Sequence, residues 1–255
     1  VIHLRVFSLE FPILFFKRIS DVYDEEYAEA LAYSGGDEEY ATAEDMHFFV
    51  IPEGCHWNDV RRVTQNVGKA IVAAMTGIEK ANPETLSDVF SSFDDAAWTD
   101  KARLTDERLK NLIEHMSLIS VGNKNYSADV MGDSYEFLIR QFADDSKKNA
   151  GEFYTPRPIV RLMVRLLDPK PGDSVYDPAC GTGGMLIEAI RHMCGDRLTY
   201  GRIFGQESNM STSAIARMNL YLHGAKDVQI MHGDTLRDPK FLEKRKLKTF
   251  TCVLA

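Results

Sequence analysis

Asp177-Pro178-Ala179-Cys180-Gly181-Thr182-Gly183-Gly184-Met185-Leu186 is the stretch whose reading decides the fold. The apolar run Ser174-Val175-Tyr176 precedes it, and Met185-Leu186-Ile187-Glu188-Ala189-Ile190 follows with helical spacing. The order is strand, glycine-rich turn, helix. Glycine tolerates φ > 0 and removes the Cβ that would block a ligand. Backbone N–H groups at the helix opening face whatever sits in the turn. The stretch therefore reads as a cradle for a cofactor. Gly181-Thr182-Gly183-Gly184 matches only the first pair of the dinucleotide pattern G-x-G-x-x-G, and a phosphate loop ending in G-K-[ST] is absent.

On either side of the turn, helical and strand patterns alternate. Pro158 to Leu167 reads as a helix with proline near its first turn. Strands are expected at Ser174–Asp177, Arg202–Glu207, Val228–His232 and Phe250–Ala255, with helices at Gly184–Met193 and from about Ser211 to His223. Such alternation implies a parallel, doubly wound sheet. Ligands bind where the parallel strands of open sheets end. Glu207 closes the second strand, where it can accept hydrogen bonds from both hydroxyls of a ribose. Asp234 follows the third, in His232-Gly233-Asp234-Thr235-Leu236, where it can accept from an exocyclic adenine amine.

The first part of the chain reads differently. Phe11 to Leu31 has apolar residues at helical spacing, ended by Ser34-Gly35-Gly36. Phe48-Phe49-Val50-Ile51 reads as a short strand. One helix is expected from Trp57 through Val63, Val67, Ile71 and Ala74. Thr105-Asp106-Glu107 opens a further helix, and Asp129 to Phe142 gives another. The polar run Asp144-Asp145-Ser146-Lys147-Lys148-Asn149 places a boundary between a mostly helical domain, 1–145, and an α/β domain, 146–255.

Charge follows the same division. Residues 1–150 carry 15 Lys+Arg against 27 Asp+Glu, net −12, whereas residues 151–255 carry 15 against 11, net +4. The second part is the one suited to face nucleic acid. Arg157, Arg161 and Arg165 form a basic stripe, and Lys244-Arg245-Lys246-Leu247-Lys248 a basic cluster, each readable as a phosphate contact or as solvated surface. The four cysteines are scattered without a C-x-x-C pair, which argues against zinc and against a disulfide framework. Cys180 reads as a small apolar filler. No apolar run is long enough for a membrane span, so no membrane partner is expected, and a reducing cytoplasm fits.

Taken in order, Gly151-Glu152-Phe153-Tyr154-Thr155-Pro156-Arg157-Pro158, the Asp177–Leu186 block, Gly205-Gln206-Glu207 and Gly233-Asp234-Thr235-Leu236 resemble the modification (methyltransferase, HsdM-like) subunit of type I restriction–modification systems. These are adenine-N6 DNA methyltransferases. Phe15-Phe16-Lys17-Arg18-Ile19-Ser20-Asp21 resembles that family's first helix. The resemblance implies a helical N-terminal domain for partner docking and DNA clamping, followed by an incomplete Rossmann-like S-adenosylmethionine-dependent methyltransferase domain. It implies S-adenosylmethionine held by Glu152, Phe153, Tyr154, Thr155, Pro156, Asp177, Gly181, Thr182, Gly183, Gly184, Glu207 and Asp234. Its implied partners are DNA, a specificity subunit, a second modification subunit and, in the larger assembly, a restriction subunit. The family's catalytic Asn-Pro-Pro-Phe/Tyr motif would follow the fourth strand. The chain ends at Thr251-Cys252-Val253-Leu254-Ala255, so the expectation is a cofactor-binding segment without a catalytic residue of its own, inactive alone. Two other readings are a non-catalytic assembly fragment of the same complex and an NAD-dependent oxidoreductase with Glu207 on the ribose.

Overall fold

A computed structural model describes residues 2–93, 98–145, 155–194, 202–225 and 227–255. The chain divides into two compact units, 1–127 and 128–255.

The first unit is helical among its described residues: α1 (Ile2–Tyr33), α2 (Glu38–Ala41), α3 (Trp57–Arg62), α4 (Val67–Ala81), α5 (Pro83–Leu86) and α6 (Asp106–Met116). Phe11, Ile13, Phe15, Phe16 and Ile19 of α1 are buried, as are Val67, Ile71, Ala74 and Ile78 of α4. Thr105 caps α6, accepting from the Arg108 amide at 3.3 Å. Two expectations change here. The helix drawn from Trp57 to Ala74 is two helices, because Asn66 adopts a left-handed conformation (φ 55°) and breaks the run. Residues 48–51 form no strand. Among the described residues they pair with no strand, and side chains take backbone bonds instead: Glu26 accepts from Phe48 N at 3.1 Å, and Asn82 both accepts from Val50 N and donates to Val50 O.

The second unit begins with α7 (Ala128–Asp145) and α8 (Arg157–Leu167). Then follow β1 (Ser174–Asp177), α9 (Gly184–Cys194), β2 (Arg202–Glu207), α10 (Met210–Leu222), β3 (Val228–His232), the short strands β4 (Leu242–Glu243) and β5 (Lys246–Leu247), and β6 (Cys252–Val253). The division falls one helix earlier than the expected boundary at 145/146. The reason is packing: Tyr135 of α7 is fully buried and its hydroxyl contacts Met218 Sδ of α10 at 2.9 Å.

The sheet has the order β3-β2-β1-β6, all parallel. Strand period 2 sorts the side chains by face. Val175, Ile203, Ile230 and Cys252 point into a core with Val160 and Val164 of α8, Leu186, Ile187 and Ile190 of α9, and Ala216 and Leu220 of α10. Tyr176, Phe204 and Gln206 alternate with these and lie on the opposite face. Helices on both faces were expected; the described helices that pack on the sheet share one face. The other face is covered by the β3-to-β6 connection, whose Phe241 and Phe250 pack on Phe204 and Tyr176 at centroid distances of 4.5 to 5.4 Å. Lys248 lies 4.2 Å over the Phe204 ring. That connection holds the antiparallel β4–β5 hairpin in place of a helix.

Candidate cofactor site

The glycine turn sits at the carboxyl end of β1, beside the end of β2 in the order β3-β2-β1-β6. Gly181 (φ 53°) and Gly183 (φ 83°) both adopt conformations that strain other residues. The Gly183 amide donates to Cys180 O at 2.8 Å and Gly183 O accepts from Ile187 N at 3.0 Å, so the turn runs directly into α9. A Cβ added at Gly181 or at Gly184 would meet no atom within 4 Å. Open space lies over the turn where a ligand would sit.

Two carboxylates border it. Asp177 is 2% exposed, and its Oδ1 accepts from Ala179 N at 3.0 Å. Burial, reinforced by the negative charge of Glu207, pushes its carboxyl up to about 6 against the opposing bond from Ala179. Glu207, at the end of β2, reaches across to the turn: its Oε2 accepts from Gly181 N at 3.0 Å, and its Oε1 from Asn209 N at 2.8 Å. Among the described residues, no lysine or arginine forms an ion pair with Asp177 or Glu207. Cys180 is buried between β1 and β2. Burial first, then the charges of Asp177 and Glu207, hold its thiol well above its usual range, as suits a filler and not a nucleophile.

Asp234 stands in the turn after β3. Its Oδ1 accepts from Leu236 N at 3.0 Å and Arg237 N at 3.2 Å, and the residue is exposed. The turn is tied to both neighbours. Gly233 N donates to Glu207 O at 2.9 Å, and the Thr235 hydroxyl donates to Pro178 O. The turns carrying Gly181, Glu207 and Asp234 are thus brought together by direct hydrogen bonds.

The remaining expected residues divide. Thr182 is buried in the turn, with its carbonyl accepting from Asn219 Nδ2 at 3.0 Å. Pro156 caps α8, its carbonyl accepting from Ile159 N and Val160 N at 2.9 and 3.2 Å. Among the described residues, neither Thr155 nor Pro156 is hydrogen-bonded to the glycine turn. Glu152, Phe153 and Tyr154 lie outside the described residues. The basic stripe on α8 is partly consumed within the fold: Arg157 pairs with Glu136 and with Asp133 at 3.4 Å, and Arg161 with Glu188 at 3.2 Å. The Lys244 cluster is a hairpin, with Lys244 (φ 50°) and Arg245 (φ 65°) exposed at its tip.

Sequence reasoning gives no role to three supporting residues, two of which enter it only as part of the Gly205-Gln206-Glu207 motif. Asn219, 1% exposed, holds the glycine turn from α10. Gly205 makes room for it: a Cβ there would lie 2.6 Å from Ile230 Cδ1 and 2.9 Å from Cys180 Sγ. Gln206, fully buried, binds the Asp234 turn through its side chain. A glycine and an amide within a strand otherwise made for burial were the available signal.

Known proteins match the chain along both units. The family model described as N-6 DNA Methylase matches residues 126–255, and that of the HsdM N-terminal domain matches residues 9–116. The MjaIX methylase subunit of a type I restriction enzyme from Methanocaldococcus jannaschii is 31% identical over 224 residues, covering 86% of this chain and 38% of its own. The MjaVIII methylase subunit from the same organism is 32% identical over 240 residues, covering 89% and 40%. The chain thus spans about two fifths of the length of these relatives. Among solved structures, the methyltransferase subunit of a type I restriction–modification system from Streptococcus thermophilus shares the fold, with a TM-score of 0.74 and 24% identity over 95% of this chain and 57% of its own.

Proposed function

Because the chain belongs to the N-6 DNA methylase family, with the methylase subunits of type I restriction enzymes as its relatives, we propose that its second unit holds S-adenosylmethionine for transfer of a methyl group to adenine N6 in DNA. The observation that carries this is the pair Asp177 and Glu207, two carboxylates beside an open glycine turn and without an ion-pairing lysine or arginine among the described residues. Uncompensated negative charge favours a cationic ligand. S-adenosylmethionine supplies an electrophilic methyl group on a positively charged sulfur.

The residues divide the work by position. Gly181, Thr182, Gly183 and Gly184 line the open turn, with the Gly181 and Gly183 amides engaged by Glu207 and Cys180 so that the turn is held in shape. Glu207, with lone pairs beyond those engaged by Gly181 and Asn209, accepts from the ribose hydroxyls. Asp234 accepts from the adenine amine of the cofactor. Asp177 holds the turn through Ala179 and adds negative charge beneath it. Glu152, Phe153, Tyr154, Thr155 and Pro156 are assigned to the methionine end by the family resemblance alone. Positioning of this kind is the main contribution a protein makes when the electrophile is already activated. The adenine to be methylated must leave the duplex stack to reach the site.

The helical first unit serves docking of a specificity subunit, a second modification subunit and a restriction subunit, on DNA in the cytoplasm. Among the described residues, no helix is long and apolar enough to cross a membrane. Calorimetric titration with S-adenosylmethionine and with NAD tests the cofactor assignment. Saturable binding of the first without the second is expected; binding of NAD alone overturns it.

A further inference from the structure

We infer that Gln206 is the positioning residue that sets the Asp234 turn against Glu207, and that it thereby fixes the site's preference for a 6-amino purine. This rests on the cofactor reading above. Gln206 is completely buried on the aromatic face of the sheet, one residue before Glu207. Its backbone carbonyl accepts from Cys180 N at 3.0 Å, which joins it to the glycine turn. Its side chain faces the other way. Nε2 donates to Gly233 O at 3.1 Å and to Asp238 O at 2.9 Å, and Oε1 accepts from Lys240 N at 3.0 Å.

One carboxamide therefore clamps both ends of the loop that carries Asp234, the entry at Gly233 and the exit at Asp238 and Lys240. Both amide hydrogens and the oxygen are used, a pattern that neither a carboxylate nor an ammonium can reproduce. The approach is close enough to restrict its neighbour: a Cβ at Gly233 (φ 151°) would lie 3.3 Å from Gln206 Nε2 and 2.9 Å from Lys240 Cε. Asp234 is in turn oriented by Leu236 N and Arg237 N. A carboxylate held there accepts from an exocyclic amine and repels a carbonyl oxygen in the same place. A loop free to shift would lose that discrimination while Glu207, on its own strand, kept the ribose.

The test compares S-adenosylhomocysteine with its 6-oxo counterpart, S-inosylhomocysteine, on the chain and on Gln206→Met, with hydrogen exchange of the backbone read in parallel. The unaltered chain is expected to prefer the amino compound by about tenfold or more. Gln206→Met is expected to cut that preference by roughly fivefold while leaving affinity for the inosyl compound nearly unchanged. Exchange at Leu236 and Arg237 should quicken by about tenfold, with Gly183 and Ile187 unaffected. Equal weakening of both compounds, or an undiminished preference, overturns the inference. If the unaltered chain binds neither compound, the cofactor reading fails instead, and unchanged protection of Leu236 and Arg237 in the variant then overturns the positioning role. Gln206→Glu, which keeps the shape and loses both donations, is read by the same outcomes should the methionine variant not fold.

Discussion

Glu207 accepts the Gly181 amide at 3.0 Å, so the carboxylate of the second strand is bonded to the turn of the first. Replacing it removes a charged acceptor from two backbone donors, Gly181 and Asn209, as well as from the ligand. Glu207→Ala should lower S-adenosylmethionine affinity by about 10- to 100-fold, the equivalent of roughly 1.5–3 kcal/mol for one charged hydrogen bond. Calorimetry on the variant checks this, and retention of wild-type affinity would remove Glu207 from the site.

Asp177 gives the fold a pH signature. Its folded-state carboxyl titrates at about 6, above the ordinary aspartate value of 3.8. The neutral form is therefore favoured by folding. Its contribution is fully present below about pH 4 and is lost as pH rises through about 6, to a limit of about 3 kcal/mol. Asp177→Asn keeps an acceptor for Ala179 and cannot ionise. Urea unfolding should find the variant about 1–3 kcal/mol more stable than the parent at about pH 7.5, with the difference vanishing near pH 4. A constant difference across that range would contradict the assignment.

Gly205 is set by contact and not by its backbone angles. Its absent Cβ would overlap Ile230 Cδ1 and the Cys180 side chain, both buried. Gly205→Ala should cost about 1–3 kcal/mol through overpacking. A thermal melt showing no loss would mean that β2 and the Cys180 loop separate more easily than their hydrogen bond suggests.

Lys244 and Arg245 occupy positions in the β4–β5 turn that favour glycine or asparagine. Replacing both with Asn-Gly should stabilise the unit by about 1 kcal/mol. On the reading of a DNA-facing second unit, the same change should weaken DNA binding and lower the salt slope by about 1 for each phosphate left without its cation. Fluorescence anisotropy across a salt series measures both. Stabilisation with unaltered DNA affinity would leave the hairpin as plain surface.

Much of the second unit was legible because its signals are local. Strands at 174–177, 202–207 and 228–232 are short apolar runs ended by turn residues, and the structure finds them at those bounds. Gly224 (φ 76°) follows α10 in the left-handed conformation that commonly ends a helix. The β4–β5 hairpin was not legible, since Lys-Arg carries none of the usual turn chemistry. Nor was the placement of α7: its helical pattern is plain, but the burial of Tyr135 and the ion pairs of Asp133 and Glu136 with Arg157 are what assign it to the second unit. The failed strand at 48–51 has strand-like residues, but Glu26 and Asn82 take its backbone bonds, a fact that exists only in three dimensions. Within the site, the acids and glycines were visible as types at strand ends. Gln206 and Asn219 were not, because a buried amide declares its role only through what it touches.

The hydrogen bonds from Cys180 to Gln206, Gly181 to Glu207 and Gly233 to Glu207 join successive loops edge to edge. Such a rim is preorganised: a guest entering it need not first freeze a wandering chain. Association should then be fast, with little heat-capacity change from coupled ordering, and fragments of the guest should bind almost independently of one another.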